Sequence, residues 1–357
     1  MMQRVRVGVI GLGEVGQIIH LPILQALSER YEITALCDIS PSLLKLMGER
    51  YGVDNLYAKA HELTAQPDVD AVFVLNSDEY HTECTLSALA QGKHVLVEKP
   101  MCLTYSEAGA IIAARDQAGV QVMVGYMRRY APAFLQAVQE VHNLEKINYA
   151  RVRDIIGPNR LMIEQSSNVY RPNDYPPEAL DDRQERAVRL VQEAIGEAAE
   201  RLGGTYRLLC GLSSHDLSAM RELLGMPTRV VAATQGQNGR FLNALFEYPG
   251  YYASFETGVD SQRRFDAHLE VYGDDKSLRV QYDTPYIRHL PTTLHISETE
   301  GEEYREVQLR PTFKDPYTHE LEYFHQMVTE NQAPKTSPED YRQDLELFAM
   351  IIRALSG

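Results

Sequence analysis

The sequence predicts an α/β chain: an N-terminal doubly wound parallel sheet, then an α+β domain built on a large, mostly antiparallel open sheet. Three observations predict it. Apolar, strand-like runs alternate with helix-like stretches over residues 1–124. The first run, Val5 to Ile10, ends directly in Gly11-Leu12-Gly13-Glu14-Val15-Gly16. From about residue 125 that alternation stops and strand-like segments dominate.

The first strand, Val5 to Ile10, feeds a G-x-G-x-x-G that opens a helix. In this pattern Gly11 permits the tight turn, Gly13 lets a pyrophosphate approach the backbone, and Gly16 allows close helix packing. The helix start offers free N–H groups to the phosphates, the Rossmann arrangement for a dinucleotide. A second strand, Ile33 to Cys37, ends at Asp38. An acid roughly 20 residues beyond the motif accepts the adenosine ribose hydroxyls and repels a 2′-phosphate. No arginine follows in Ile39-Ser40-Pro41-Ser42, so the expected cofactor is NAD rather than NADP. Ser40-Pro41 forms an N-cap and N1 pair for a helix from Pro41 to about Tyr51.

Ala71 to Leu75 is the next strand. Asn76-Ser77-Asp78-Glu79-Tyr80-His81 then sets polar residues past its carboxyl end, on the expected nicotinamide side of the cleft. Ser77 or Asp78 also suits capping of the following helix, about Tyr80 to Gln91, with Gly92 just beyond it. The run Gly92-Lys93-His94-Val95-Leu96-Val97-Glu98-Lys99-Pro100 holds a short buried strand, His94 to Val97. Lys99 falls at its carboxyl end, where a cofactor or substrate is met, and Pro100 stops the strand. Thr104-Tyr105-Ser106-Glu107 is a capping box, and Val120 to Val124 is a fifth strand.

Tyr126-Met127-Arg128-Arg129-Tyr130-Ala131-Pro132 leads into the second domain, read as residues 125–357. Its strand-like segments are Tyr149 to Ile155, Arg229 to Ala233, Asn243 to Glu247, Tyr251 to Glu256, His268 to Tyr272, Ser277 to Tyr282 and Thr293 to Ser297. Their polar alternation suggests one buried face and one face free for partners. Two amphipathic helices, about Pro316 to Asn331 and Pro338 to Leu355, end the chain. Residues 155–203 read as an insertion: a polar, aromatic loop with Asn168, Tyr170, Arg171 and Tyr175, then a helix over about Asp181 to Leu202. The loop is a candidate lid or specificity element.

Composition narrows the function classes. The 357 residues suffice for about two domains. A net charge of −15, from 35 basic and 50 acidic residues, opposes binding to nucleic acid or anionic membrane. Cys37, Cys84, Cys102 and Cys210 have no C-x-x-C spacing, so no disulfide framework and no metal site is expected. The absence of a leader after Met1 and of a membrane-length apolar run points to the cytoplasm.

The chain resembles the glucose-fructose oxidoreductase / inositol dehydrogenase / rhizopine catabolism (Gfo/Idh/MocA) family. The resemblance rests on Gly11 to Gly16 with His20, Asp70-Ala71-Val72, His81, the Gly92 to Pro100 run and Tyr126 to Pro132. It continues through His215-Asp216, Leu223-Leu224-Gly225 and Tyr317-Thr318-His319-Glu320. It implies NAD(P)-dependent oxidation of a secondary hydroxyl on a sugar, cyclitol or related polyol, and a homo-oligomer formed through the open sheet. With it, the candidate cofactor-binding residues are Gly11, Gly13, Glu14, Val15, Gly16, Asp38, Asn76, Ser77, His81, Glu98, Lys99 and Arg128. The candidate substrate-binding residues are Lys99, Tyr126, Arg128, Tyr170 and His215, and the candidate catalytic pair is Lys99 and His215.

One position departs from the family pattern. An Asp commonly stands four residues before the catalytic His, and here that position is Gly211. Asp216 is a poor substitute, because neighbours along a helix do not share a face. Ser213 or Ser214 is expected to cap a helix running to Leu224, which sets His215 in its first turn, where the dipole disfavours an imidazolium. Two further readings stand beside the dehydrogenase: an NAD-using glycosidase or lyase with transient sugar oxidation, and a non-enzymatic NAD-responsive binding protein.

Overall fold

Strand β1 (Val5–Ile10) is buried at five of its six positions, the pattern of a strand covered on both faces. In the computed structural model, which describes residues 3–357, it lies at the centre of a six-stranded parallel sheet. Met1 and Met2, on which the reading of a missing leader depends, lie outside the described residues. The other strands are β2 (Tyr31–Cys37), β3 (Leu56–Tyr57), β4 (Ala71–Val74), β5 (His94–Glu98) and β6 (Val122–Gly125). Their order is β3-β2-β1-β4-β5-β6, so the order reverses between β1 and β4. Two-residue β3 carries too little pattern to be read from the sequence. The helix Pro41–Tyr51 forms as expected: Ser40 Oγ accepts the Leu43 N–H, Pro41 takes the first turn, and Gly52 ends it at φ +67°. The Thr104/Glu107 capping box closes reciprocally on the helix Tyr105–Ala118.

The second sheet has eight strands: β7 (Tyr149–Ile156), β8 (Arg229–Gly236), β9 (Phe241–Tyr248), β10 (Tyr251–Val259), β11 (Phe265–Tyr272), β12 (Lys276–Tyr282), β13 (Thr293–Glu300) and β14 (Glu303–Leu309). The order is β14-β13-β12-β11-β7-β10-β9-β8, antiparallel except for the β7–β10 pair. Along β7 the burial alternates, with Ala150, Val152, Asp154 and Ile156 inward. The helices Pro132–His142 and Ser214–Leu224 cover that inner face, the first on β12 and β13, the second on β7 and β11. Arg151, Arg153, Glu256 and Asp266 form a chain of ion pairs within the same sheet, none of them fully buried.

The chain divides into two units, and the division departs from two continuous stretches. Unit 1 takes the chain up to Gly125 together with Ser167–Ala194 and Glu320–Arg342; unit 2 takes Tyr126–Ser166, Ile195–His319 and Gln343–Gly357. The returns are physical. Thr336 pairs with Val124 on edge strand β6, donating Oγ1 to its carbonyl at 2.8 Å while the Val124 N–H reaches the Thr336 carbonyl at 2.8 Å. Phe324 meets Phe73 of β4 edge to face, with ring centroids 5.2 Å apart. A second departure is the helix expected over Asp181 to Leu202. It breaks where Gly196 takes a φ of +56°, giving helices Pro177–Ile195 and Ala199–Leu208 around a short 3-10 turn.

Candidate functional site

In unit 1 the candidate residues gather past the carboxyl ends of β1, β2, β4 and β5. Gly11 has a φ of +91°, and a Cβ there would lie 2.4 Å from the Asn76 nitrogen, so only glycine fits. A Cβ on Gly16 would lie 2.9 Å from the Gly11 carbonyl. At Gly13 a Cβ would meet nothing within 4 Å, which leaves the backbone open to an approaching ligand. Glu14 and Val15 follow in the same turn, each half-buried, and the chain then passes through a π-turn, Gly16–His20, into the helix Leu21–Ala26.

Asp38 faces that turn. Its Oδ2 accepts the Leu12 N–H and its Oδ1 the Ser40 N–H, each at 2.9 Å. Each oxygen keeps a second lone pair for a ribose hydroxyl. Burial pushes the Asp38 carboxyl up, the two N–H bonds oppose this, and the charge of Asp174 adds to the rise. Asn76 donates Nδ2 to Cys84 Sγ, while its Oδ1 is buried with no hydrogen-bond partner among the described residues. A buried acceptor left open beside a glycine-only turn is what a bound polar group would complete. The open Gly13, the paired acceptors of Asp38 and this oxygen together fit a dinucleotide.

The other residues of this edge hold it in shape. His81 is buried, with Nδ1 2.7 Å from the Pro100 carbonyl and Nε2 2.9 Å from the Asn76 carbonyl. It ties the Asn76 loop to the turn carrying Lys99, so its role is to position those loops. Ser77 is half-buried just before the short 3-10 turn Asp78–Tyr80, which does not use its side chain as a cap. Glu98 Oε1 lies 2.8 Å from Nε2 of the buried His20, and Glu98 Oε2 accepts the Lys99 N–H at 3.2 Å. Burial alone would raise the Glu98 carboxyl, but the His20 bond and the charges of His20 and Lys99 outweigh it and lower it. Lys99 is half-exposed at the end of β5, and the Lys99–Pro100 peptide is cis.

Tyr170 enters the same unit from the insertion. Its backbone N–H and carbonyl bond the Gln17 side chain at 2.9 and 3.0 Å, and its hydroxyl donates to Ser42 Oγ at 3.2 Å. The loop is therefore fastened to the Asp38 side of the edge. Nothing in the sequence pattern singled out Gln17 as its anchor.

Unit 2 holds the remaining candidates, and here the geometry is different. The Tyr126 hydroxyl donates to Asp344 Oδ2 at 2.8 Å, and Arg221 reaches Asp344 Oδ1 at 2.7 Å, all three buried. Arg128 is also buried, with ion pairs to Asp216 and, at 3.4 Å, to Asp154. Its guanidinium lies over the Tyr282 ring, 4.9 Å from the centroid. Two buried acidic side chains face one buried cation. Burial, against the pull of Arg128 and helped by the charge and hydrogen bond of Asp154, holds the Asp216 carboxyl well above its usual range. The sequence signal for this cluster was available: Asp154 is the one charged residue on the inward face of β7.

His215 is nine-tenths buried in the helix Ser214–Leu224, one residue from Asp216. The expected helix start is corrected. A π-turn, Leu209–Ser213, joins this helix to Ala199–Leu208 without an interruption. Ser213 has helical φ/ψ and makes no cap bond; its Oγ donates to Thr257, and Ser214 Oγ donates back to the Cys210 carbonyl at 2.7 Å. His215 is therefore inside a long helical run, and the free positive end invoked for it does not exist. Gly211 lies in the π-turn without a positive φ, and a Cβ there meets nothing within 4 Å.

Among the described residues no cluster of His, Cys, Asp and Glu is arranged to hold a metal ion, and none of the four cysteines forms a disulfide. No described helix is long and apolar enough to cross a membrane. Residues 5–126 match the family described as an oxidoreductase family with an NAD-binding Rossmann fold. The chain is 26% identical to a myo-inositol 2-dehydrogenase of Thermotoga maritima, over 96% of this chain and 93% of that protein. It is 24% identical to an inositol 2-dehydrogenase/D-chiro-inositol 3-dehydrogenase of Lactiplantibacillus plantarum, over 92% and 84%. A levoglucosan dehydrogenase solved with NADH and levoglucosan shares the fold, with a TM-score of 0.76 at 16% identity over 99% of this chain and 98% of that one. The glycine-only turn, the acid just past β2 and the lysine turn of β5 all lie within residues 5–126, which match the NAD-binding Rossmann domain of the Gfo/Idh/MocA oxidoreductase family, and the likeness to inositol dehydrogenases runs over nearly the whole chain.

Proposed function

We propose that the protein moves a hydride between NAD and a secondary hydroxyl or ketone of an inositol-like cyclitol, sugar or related polyol. The observation that carries this reading is the end of β5, where Lys99 stands one residue past a buried His20–Glu98 pair and is tied through Pro100 and His81 to the loop of Asn76. An ammonium so fixed orients a hydroxyl and stabilises negative charge developing on its oxygen. Bound NAD supplies the hydride acceptor. His215 takes the hydroxyl proton on a ring nitrogen and, in the reverse direction, returns it. Tyr170 and the loop around it border the cofactor. Tyr126 and Arg128 act as buried braces rather than as ligands. The cyclitol preference is supported by the two inositol dehydrogenases that align over nearly the whole chain.

The test is a panel of inositols, other cyclitols and aldoses with NAD, followed by NADH absorbance. Stoichiometric NADH from at least one secondary alcohol is expected. Bond cleavage with no net NADH would replace this reading by the glycosidase or lyase alternative. A second copy of the chain is expected against the open face of the second sheet, where Tyr149, Tyr252 and Tyr304 are exposed, and a monomer in sedimentation equilibrium would exclude it. A cytoplasmic enzyme fits this chemistry.

A further inference from the structure

Asp174 comes from the insertion yet sits at the start of the helix Pro41–Tyr51, three residues past Asp38. Its Oδ1 accepts the Ser40 hydroxyl at 2.5 Å and its Oδ2 the Ser42 N–H at 2.8 Å. The helix N-terminus is thereby used up. Pro41 has no N–H, the Ser42 N–H goes to Asp174, and the Leu43 N–H goes to Ser40 Oγ at 3.2 Å. These are the donors that bind an anion at a helix start, and the anion present is a carboxylate of the protein itself. The loop that delivers it is fixed on both sides. Upstream, Tyr170 is bonded to Gln17 and Arg171 pairs with Glu14 at 3.0 Å. Downstream, Asp182 accepts the Tyr80 hydroxyl at 2.7 Å and Arg186 lies over the Tyr80 ring. All of these residues belong to unit 1.

A ribose held by Asp38 presents its 2′ position toward the start of this helix, which is where a 2′-phosphate would find its donors. We propose that Asp174 is a second cofactor-specificity residue: it occupies the phosphate seat at the helix start and adds its charge to that of Asp38, so that NADP is refused twice. The proposal rests on the reading of Asp38 as the ribose ligand and extends it to a residue more than 130 positions away in sequence. Asp174 is exposed, so water and salt screen its charge, and the donors it withholds matter as much as the repulsion it adds.

The experiment is calorimetric titration of NAD and NADP, with no substrate, into the wild type, Asp174→Asn, Asp38→Ser and the double variant. In Asp174→Asn the ratio of NAD to NADP affinity should fall about 10-fold, the scale of freeing a helix start for an anion, with NAD affinity nearly unchanged. The double variant should shift further than either single one. A ratio that moves less than about twofold in both backgrounds, on the same scale, overturns the proposal. So does an equal loss of NAD and NADP, which would make Asp174 a fastener of the loop only. A wild type that binds neither nucleotide would overturn the cofactor reading, and this proposal with it. The outcome does not depend on which alcohol is oxidised.

Discussion

The edge of unit 1 and the polar centre of unit 2 both follow a β-strand with charged and aromatic side chains, yet they use them in opposite ways. Past β5, Lys99 is half-exposed, with the hydrogen-bonded Glu98–His20 pair buried behind it. Past β6, Tyr126 and Arg128 turn inward and meet buried acids, Tyr126 at Asp344 and Arg128 at Asp154 and Asp216. The difference teaches that a polar residue at a strand end is a ligand candidate only when the interior does not already demand it. A buried carboxylate needs a partner more urgently than a substrate does.

That contrast can be broken at its strongest point first. Arg128→Met should cost about 3–5 kcal/mol of unfolding free energy, because it strips the cation from two buried carboxylates. Urea denaturation of the variant measures this. Normal stability together with weakened nucleotide or substrate binding would move Arg128 from brace to ligand. Lys99→Ala should do the reverse: turnover should drop by at least ~100-fold, the scale of losing one charge-stabilising donor, with the melting temperature and NAD affinity held. A variant with near-normal turnover would remove Lys99 from the mechanism.

His215→Ala should slow oxidation strongly and erase a limb of the pH–rate profile without unfolding the protein, since its helix begins upstream, at Ala199. Retention of the wild-type profile would send the search for a base to the acids and tyrosines of the insertion. The smallest expected effect is that of Asp216→Asn, within about 1 kcal/mol at neutral pH, because burial pushes this carboxyl toward its neutral form and the variant amide is neutral. The sign follows from linkage. With its folded value above the unfolded one, Asp216 gives stability that is full below the unfolded carboxylate range and is lost as pH rises through the folded value. The variant should flatten that fall, and an unchanged slope of stability against pH would show that Asp216 is ionised in the folded state.

Much of unit 1 was legible because its signals are local. The Gly11 turn, the Ser40-Pro41 helix start, the Thr104/Glu107 capping box and the Lys99 turn each depend on residues a few positions apart. The strands of the second sheet were legible from alternation, apart from β14, whose residues are exposed on both faces except at Leu309. What stayed hidden was set by distant partners. Ser213 looked like a helix cap because nothing nearby showed that the turn before it was already helical. Asp174 looked like a loop residue because its two partners lie in the first 42 residues. Tyr126 looked like a ligand because Asp344 is 218 positions away.

The return of Glu320–Arg342 to unit 1 has a consequence for how the protein is made. Phe73 of the first sheet awaits Phe324, the Cys102 carbonyl awaits the Tyr341 hydroxyl at 2.5 Å, and edge strand β6 awaits Thr336. A nascent chain folds from its N-terminus as it leaves the ribosome, but this nucleotide-binding unit lacks part of its core until Glu320–Arg342 has been made. Until then β6 presents an unpaired edge, open to strand pairing with another chain. The first sheet therefore waits, with β6 uncovered, while about 200 intervening residues are made.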